Sequence, residues 1–148
     1  MADIDFITDL SKGIFQITLG DNPLAVSGNR ALMNHFEITF LTKTRTFILN
    51  NQYITDSYGG NASDFIDKPQ VLNNIQGIAT AIATSIDLTV QCILDNQPGN
   101  IPDTEKLLSA ELISLDVVNE VVAATIEVHP VQYESNEALR LNLPIIKL

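Results

Sequence analysis

The period of the apolar positions changes several times along the chain, and each change predicts a new element. Residues 3–28 show no helical spacing: Ile14-Phe15-Gln16-Ile17-Thr18-Leu19 is rich in β-formers and Gly20-Asp21-Asn22-Pro23 closes it as a turn. This reads as an extended arm or a small hairpin. From Asn29 the spacing becomes helical, with Leu32, Phe36 and Phe40 four residues apart and Ala31 and Met33 beside them. The helix should end near Thr42. Lys43 and Arg45 follow, where cations suit the helix dipole and the unpaired carbonyls, or an acidic neighbour. Tyr53 to Asn61 reads as a loop whose Gly59-Gly60 pair permits positive φ, and Ala62 to Ile66 as a short helical turn.

Pro69 suits a first helical turn, and Val71, Leu72, Ile75, Ile78, Ala79, Ile82 and Ile86 then form one broad apolar stripe. The opposite face carries Asn73, Asn74, Gln76, Thr80 and Thr84, polar yet uncharged, as suits a face covered in an assembly. Leu88 to Leu94 fits helix or strand, because β-branched residues sit inside helical spacing; helix to Asn96, with a break at Asp87, is the expectation. Gln97-Pro98-Gly99-Asn100-Ile101-Pro102 is a linker, and Thr104-Glu105-Lys106 a single turn.

Two β-rich runs, Ala110 to Val118 and Val121 to Val131, should then pair as an antiparallel hairpin joined at Asn119-Glu120. Strict alternation in the first would set Glu111, Ile113, Leu115 and Val117 on one face and Leu112, Ser114, Asp116 and Val118 on the other. A last strand from Leu139 would turn Leu139, Leu141, Leu143 and Ile145 inward and Arg140 and Asn142 outward. Pro144 confines it to a sheet edge because proline offers no ladder donor. The fold class is α+β in one domain over 1–148: an arm or hairpin at 1–28, a mainly helical part at 29–97, and a β-rich part at 103–148 ending in an exposed edge strand.

Composition adds limits to this picture. With 45% apolar and 18% charged residues in 148, the chain has enough hydrophobic material for a core. Eight basic against eighteen acidic residues leave a net charge of −10, which repels nucleic-acid backbones and anionic membranes and argues against both as partners. A mean hydropathy of +0.15 beside that charge suggests apolar surface reserved for other proteins. The lone Cys92 reads as a core residue. Met1-Ala2-Asp3-Ile4-Asp5 opens with acids where a secretory signal needs bases, and no unbroken apolar run reaches the roughly 18 residues of a membrane span. Synthesis and retention in a cytoplasm until assembly is therefore expected.

The search for chemistry marks no catalytic, cofactor-binding or metal-binding residue. Eighteen scattered acids make some close carboxyl pair expected by chance. His35 and His129 lack the neighbouring His, Cys or acid that zinc spacing requires. Ser27-Gly28 and Ser57-Tyr58-Gly59 do not match a nucleophile elbow, and Gly59-Gly60 has neither the Lys-Ser/Thr ending of a P-loop nor a dinucleotide glycine pattern.

Three motifs resemble the sheath-initiator family of contractile-tailed bacteriophages: Gly28-Asn29-Arg30-Ala31-Leu32 opening a helix, Phe40-Leu41-Thr42-Lys43-Thr44-Arg45 ending it, and Tyr58-Gly59-Gly60 after a short loop. The similarity spans roughly residues 14 to 146 and extends to the order of long helix, β-runs and final strand. Many members carry a Glu-Pro-Arg-like turn after the long helix, where this chain has Ile86-Asp87-Leu88-Thr89. The resemblance implies a virion structural protein of the tail baseplate, present in several copies and non-enzymatic. It would join wedge proteins, lie near tube or hub proteins, and offer its sheet as the first template for tail-sheath subunits by strand addition. Lys43, Arg45, Tyr58, Gly59, Gly60, Arg140, Asn142 and Pro144 are the candidate partner-binding residues. Two other classes compete with this reading: a regulatory binding module on the same fold, which an anti-adaptor of bacterial proteolysis resembles, and a cell-wall glycan hydrolase.

Overall fold

The structure, a computed structural model, describes residues 6–9, 14–17, 26–44, 46–55, 58–64, 75–118 and 121–147. The expected turn at Gly20 to Pro23, the Asn119-Glu120 joint, Arg45, Ile66, Pro69 and Val71 to Asn74 lie outside these residues. Near the N-terminus β1 (Phe6–Asp9) and β2 (Ile14–Ile17) pair antiparallel, Phe6 opposite Ile17, so of arm and hairpin the chain forms the hairpin.

Helix α1 (Gly28–Leu41) follows the predicted spacing closely: Leu32, Phe36 and Phe40 are fully buried, and the two phenyl rings stack with centroids 6.1 Å apart. The loop expected from Tyr53 needs correction. Its first three residues belong to a hairpin of β3 (Thr46–Leu49) and β4 (Gln52–Thr55). The turn between them is Asn50-Asn51, with φ of +51° and +60°, the pair of left-handed residues that matches the twist of two antiparallel strands. Asparagine tolerates that region better than most side chains, which is why two of them close the hairpin. A short 3₁₀ turn, Ala62–Asp64, sits where a helical turn was expected.

Helix α2 (Ile75–Asn96) runs through Asp87 without a break, so the residues compared with a family turn, Ile86 to Thr89, are mid-helix. The turn after the long helix is at 97–106. Threonine accommodates the helix by bonding back to it: the hydroxyls of Thr80, Thr84 and Thr89 donate to the carbonyls of Gln76, Thr80 and Ser85 at 2.7 to 2.9 Å. Residues Gln76–Asn96, of mean hydropathy 1.5, are long and apolar enough to cross a membrane. Here Ile78, Ile82, Ile86 and Ile93 are instead buried in the protein core.

The C-terminal sheet has three antiparallel strands in the order β5 (Leu107–Val118), β6 (Val121–Pro130), β7 (Leu139–Lys147). Both helices lie on one face, α2 over β5 and α1 over β6 and β7. Strict alternation fails in β5. Register shifts at Leu108 and Ile113 each insert an extra residue, so the side chains packed toward the helices are Leu107, Ala110, Leu112 and Leu115. The expected assignment of Leu112 and Leu115 to opposite faces is thus overturned by the second bulge. In β7 the alternation holds for buried Leu141, Leu143 and Ile145 and exposed Arg140 and Asn142, while Leu139 is half-buried. Pro144 is buried as well, because a bulge at Ile145 sets two residues of β7 against the step from Val122 to Ala123.

The isoleucine stripe of α2 is what the sheet closes over. Ile82→Ala, at a fully buried position, should cost about 2–5 kcal/mol. Ile38→Ala, on the exposed side of α1, should stay within about 0.5 kcal/mol. Denaturant unfolding measures both, and equal midpoints for the two variants would contradict this packing.

Candidate interaction surface

Helix α1 is fastened at both ends by loops that come from far along the chain. Ser27, the N-cap residue, makes no side-chain cap. Two distant carboxylates replace it: Gly28 N–H donates to Glu105 Oε1 and Asn29 N–H to Glu134 Oε2, both at 3.0 Å. Each satisfies a helix N–H that would otherwise lack a partner, and their charge favours the positive end of the dipole. Gly28 has φ +62°, a region that favours glycine, and a Cβ there would displace the Glu134 carboxylate from its contact with the helix start.

Between those carboxylates the buried Asn29 amide uses its full donor capacity. Its Nδ2 donates to the carbonyls of Thr104 at 2.8 Å and Gln132 at 2.9 Å, while its Oδ1 accepts the Glu134 N–H at 2.7 Å. One side chain thereby joins the helix to both loops at this end of the sheet. The same loops bond each other through Val131 N–H to Lys106 O and Gln132 N–H to Asp103 O. Gln97 ties in the end of α2, exchanging two hydrogen bonds with the Leu107 backbone as a strand residue would.

At the other end, Tyr58-Gly59-Gly60 passes against the last turn of α1. Gly60 N–H donates at 2.8 Å to Thr39 O, which also accepts from Thr42 N–H at 3.2 Å, and Asn61 N–H donates at 3.0 Å to the C-cap carbonyl of Thr42. Gly60 lies where a Cβ would meet Thr89 of α2 and the Phe40 backbone, so the strap threads between the two helices. The Tyr58 hydroxyl lies 3.1 Å from Thr39 Oγ1 and 3.3 Å from His35 Nε2. Asn61 Oδ1 accepts from both the N–H and the hydroxyl of Thr44.

Of the eight candidate partner-binding residues, Tyr58, Gly59 and Gly60 lie against the last turns of α1, and Arg140 lies beside its first turns. Gly59 and Gly60 are buried and Tyr58 is half-buried, while Lys43 is exposed and Arg45 lies outside the described residues. On β7, Arg140 Nε donates to Glu127 Oε2 at 3.0 Å, Asn142 Oδ1 accepts from Thr125 Oγ1 at 2.9 Å, and Pro144 is inside. Arg140 also lines a shallow cleft with Asn29, Met33 and Glu134.

The sheet face away from the helices carries a polar array across all three strands. His129 of β6 lies 3.3 Å from Glu111 of β5 and 2.8 Å from the Tyr133 hydroxyl, with the Glu127–Arg140 pair beside it. Such solvated pairs contribute about 0–1 kcal/mol each and mark a face in contact with water or with polar partner groups. Among the described residues no three His, Cys, Asp or Glu side chains gather as metal ligands.

Besides the exposed Ile38, Leu88, Leu94, Leu108, Ile113, Val131 and Tyr133, apolar surface is open at two further places. The β3–β4 hairpin presents Ile48, Leu49 and Tyr53 at 64, 53 and 80% exposure, the first and last directly paired across the strands. Its ten residues, Thr46 to Thr55, contain no Asp, Glu, Lys or Arg. The second place is the open side of β5, where α2 and the strand leave a cleft of about 410 Å³ with Ala79, Ala83, Ile86, Ala110 and Leu112 in its lining. Neither place was among the candidate positions. Asn50-Asn51 between β-formers is the signal for the hairpin; the cleft has none in sequence, since it depends on where α2 docks.

Comparison with protein-family models, curated proteins and solved structures finds no match to this chain.

Replacing Asn29 tests the clamp. Asn29→Ala leaves two carbonyls and one N–H without their partner and should cost about 2–4 kcal/mol. Asn29→Asp, equal in size, turns an acceptor toward those carbonyls and should be at least as damaging. A melting temperature for the aspartate variant equal to that of the native chain would refute the hydrogen-bond assignment.

Proposed function

We propose that this chain is a structural, non-enzymatic subunit of a contractile phage-tail baseplate. It joins wedge subunits and gives the first ring of sheath subunits a sheet to extend. One observation supports the reading above others: the motifs through which the sequence resembles the sheath-initiator family lie at the two ends of α1. Gly28-Asn29 holds the helix to the loops around the sheet, and Tyr58-Gly59-Gly60 holds it to α2. Motifs so placed build the platform that carries the sheet, as a template requires.

The outer strands supply the means. Among the described residues no strand hydrogen-bonds to the outer side of β5 or β7, and an unpaired strand edge is a ready acceptor for an extended segment of another protein. The β7 edge is partly guarded. β1 passes within 8 Å of it without joining its ladder, and Pro144 removes one donor. Unassembled copies, each of charge −10, also repel one another.

Leu141→Pro, or deletion of residues 139 to 148, should leave the helices formed by circular dichroism and yet give tails without sheath in electron micrographs. Normally sheathed tails would rule out templating by β7. Mass spectrometry of purified particles tests the class itself: stoichiometric recovery in tails is expected, and recovery only from the lysate would overturn the assignment.

A further inference from the structure

The opposite edge of the sheet is bordered by the cleft between α2 and β5. The cleft beside β5 is lined by Ala110 and Leu112, which face the helices, and also by Glu111, which faces away, so it wraps around the strand's outer edge. Its second wall is α2, where Ala79 and Ala83 keep the helix surface low and Ile86 closes the inner end. Asp87 on the helix and Glu111 on the strand stand at the rim, both exposed.

An unpaired strand edge beside a helix, with an apolar hollow between them, is a geometry that takes a peptide as an added strand: the edge offers backbone hydrogen bonds and the hollow takes alternate side chains. The bulges at Leu108 and Ile113 kink β5, so the regular stretch left for pairing is Ser109 to Leu112.

We infer that the β5 edge binds an extended segment of a partner protein that alternates apolar and basic residues. The apolar side chains enter the hollow between α2 and β5, and the basic ones, turned to the outer face, meet Glu111, while Asp87 adds negative potential at the helix rim. The alternation follows from the pleat, because a strand added at this edge turns successive side chains toward α2 and toward the outer face. The basic preference follows from the two rim carboxylates and the net charge of −10. A second copy of this chain is a poor occupant for the same reason. The inference rests on strand addition as the mode of contact but not on the protein's place in a tail.

Solution NMR of the full chain labelled with ¹⁵N provides the test, with an eight-residue peptide alternating lysine and valine as the probe. The expected result is shifted amide signals at Ser109 to Leu112 and along α2 at Ala79 and Ala83, together with slowed exchange of β5 amides. A lysine–serine peptide of equal charge and a glutamate–valine peptide should leave these signals in place. Glu111→Gln should weaken binding about two- to fivefold, the factor of a solvent-exposed ion pair, and Asp87→Asn should weaken it less. Ala83→Phe, which fills the hollow from an exposed helix position, should abolish it. Equal shifts with the lysine–serine peptide, shifts confined to β7, or undiminished binding by Ala83→Phe would each overturn the inference. None of these outcomes depends on whether the protein is found in particles.

Discussion

The carboxamide of Asn29 is the point on which the arrangement of helix and sheet depends. Hydrophobic burial drives α1 onto the sheet but is indifferent to small slides and rotations, since Leu32, Phe36 and Phe40 would be buried over a range of poses. Hydrogen bonds have direction and fixed length. By joining the helix start to Thr104, Gln132 and Glu134, Asn29 selects one pose, and the carboxylates of Glu105 and Glu134 hold the same turn by its backbone. The Gly59-Gly60 strap does the corresponding work at the far end, where only the absence of side chains lets backbone approach backbone. Specificity of packing thus resides in a few polar contacts, and most of the stability in the isoleucine and phenylalanine layers beneath them.

Much of this fold can be read from periodicity, and the places where it cannot have physical causes. Phe36 and Phe40, Ile78 and Ile82, and Leu141 and Leu143 announce their elements because each pair repeats at the period of its backbone. In β5 the alternation fails because bulges add residues that the pattern does not mark, which reverses the face of everything downstream. Asp87 looked like a break and is not one, since a charge on the exposed side of a helix costs little. The β3–β4 hairpin escapes a reading that begins the loop at Tyr53, although Asn50-Asn51 just before it supplies two left-handed residues in succession, which is what joins two strands.

The functional residues were less legible than the fold. Gly28, Asn29 and the Tyr58-Gly59-Gly60 strap stood out as motifs, but their contacts are internal. Glu105 and Glu134 gave no signal, because what makes them matter is proximity to residues 77 and 105 positions away. The cleft beside β5 belongs to the same category: alanines at positions 79, 83 and 110 become a surface only when a helix and a bulged strand are set side by side. Sequence reports what a residue is and its local period. Surface shape arises from docking, which many distant contacts determine together.

The uncharged hairpin has a consequence for how this protein would let go of its neighbours. Between Thr46 and Thr55 there is nothing for dissolved ions to screen, so a contact made by Ile48, Leu49 and Tyr53 holds or tightens as ionic strength rises. A contact through the acidic rim of the sheet weakens under the same conditions. As ionic strength rises, a partner held at both places would loosen at the sheet and stay held at the hairpin. Brine and dilute buffer would therefore separate an assembly along different seams.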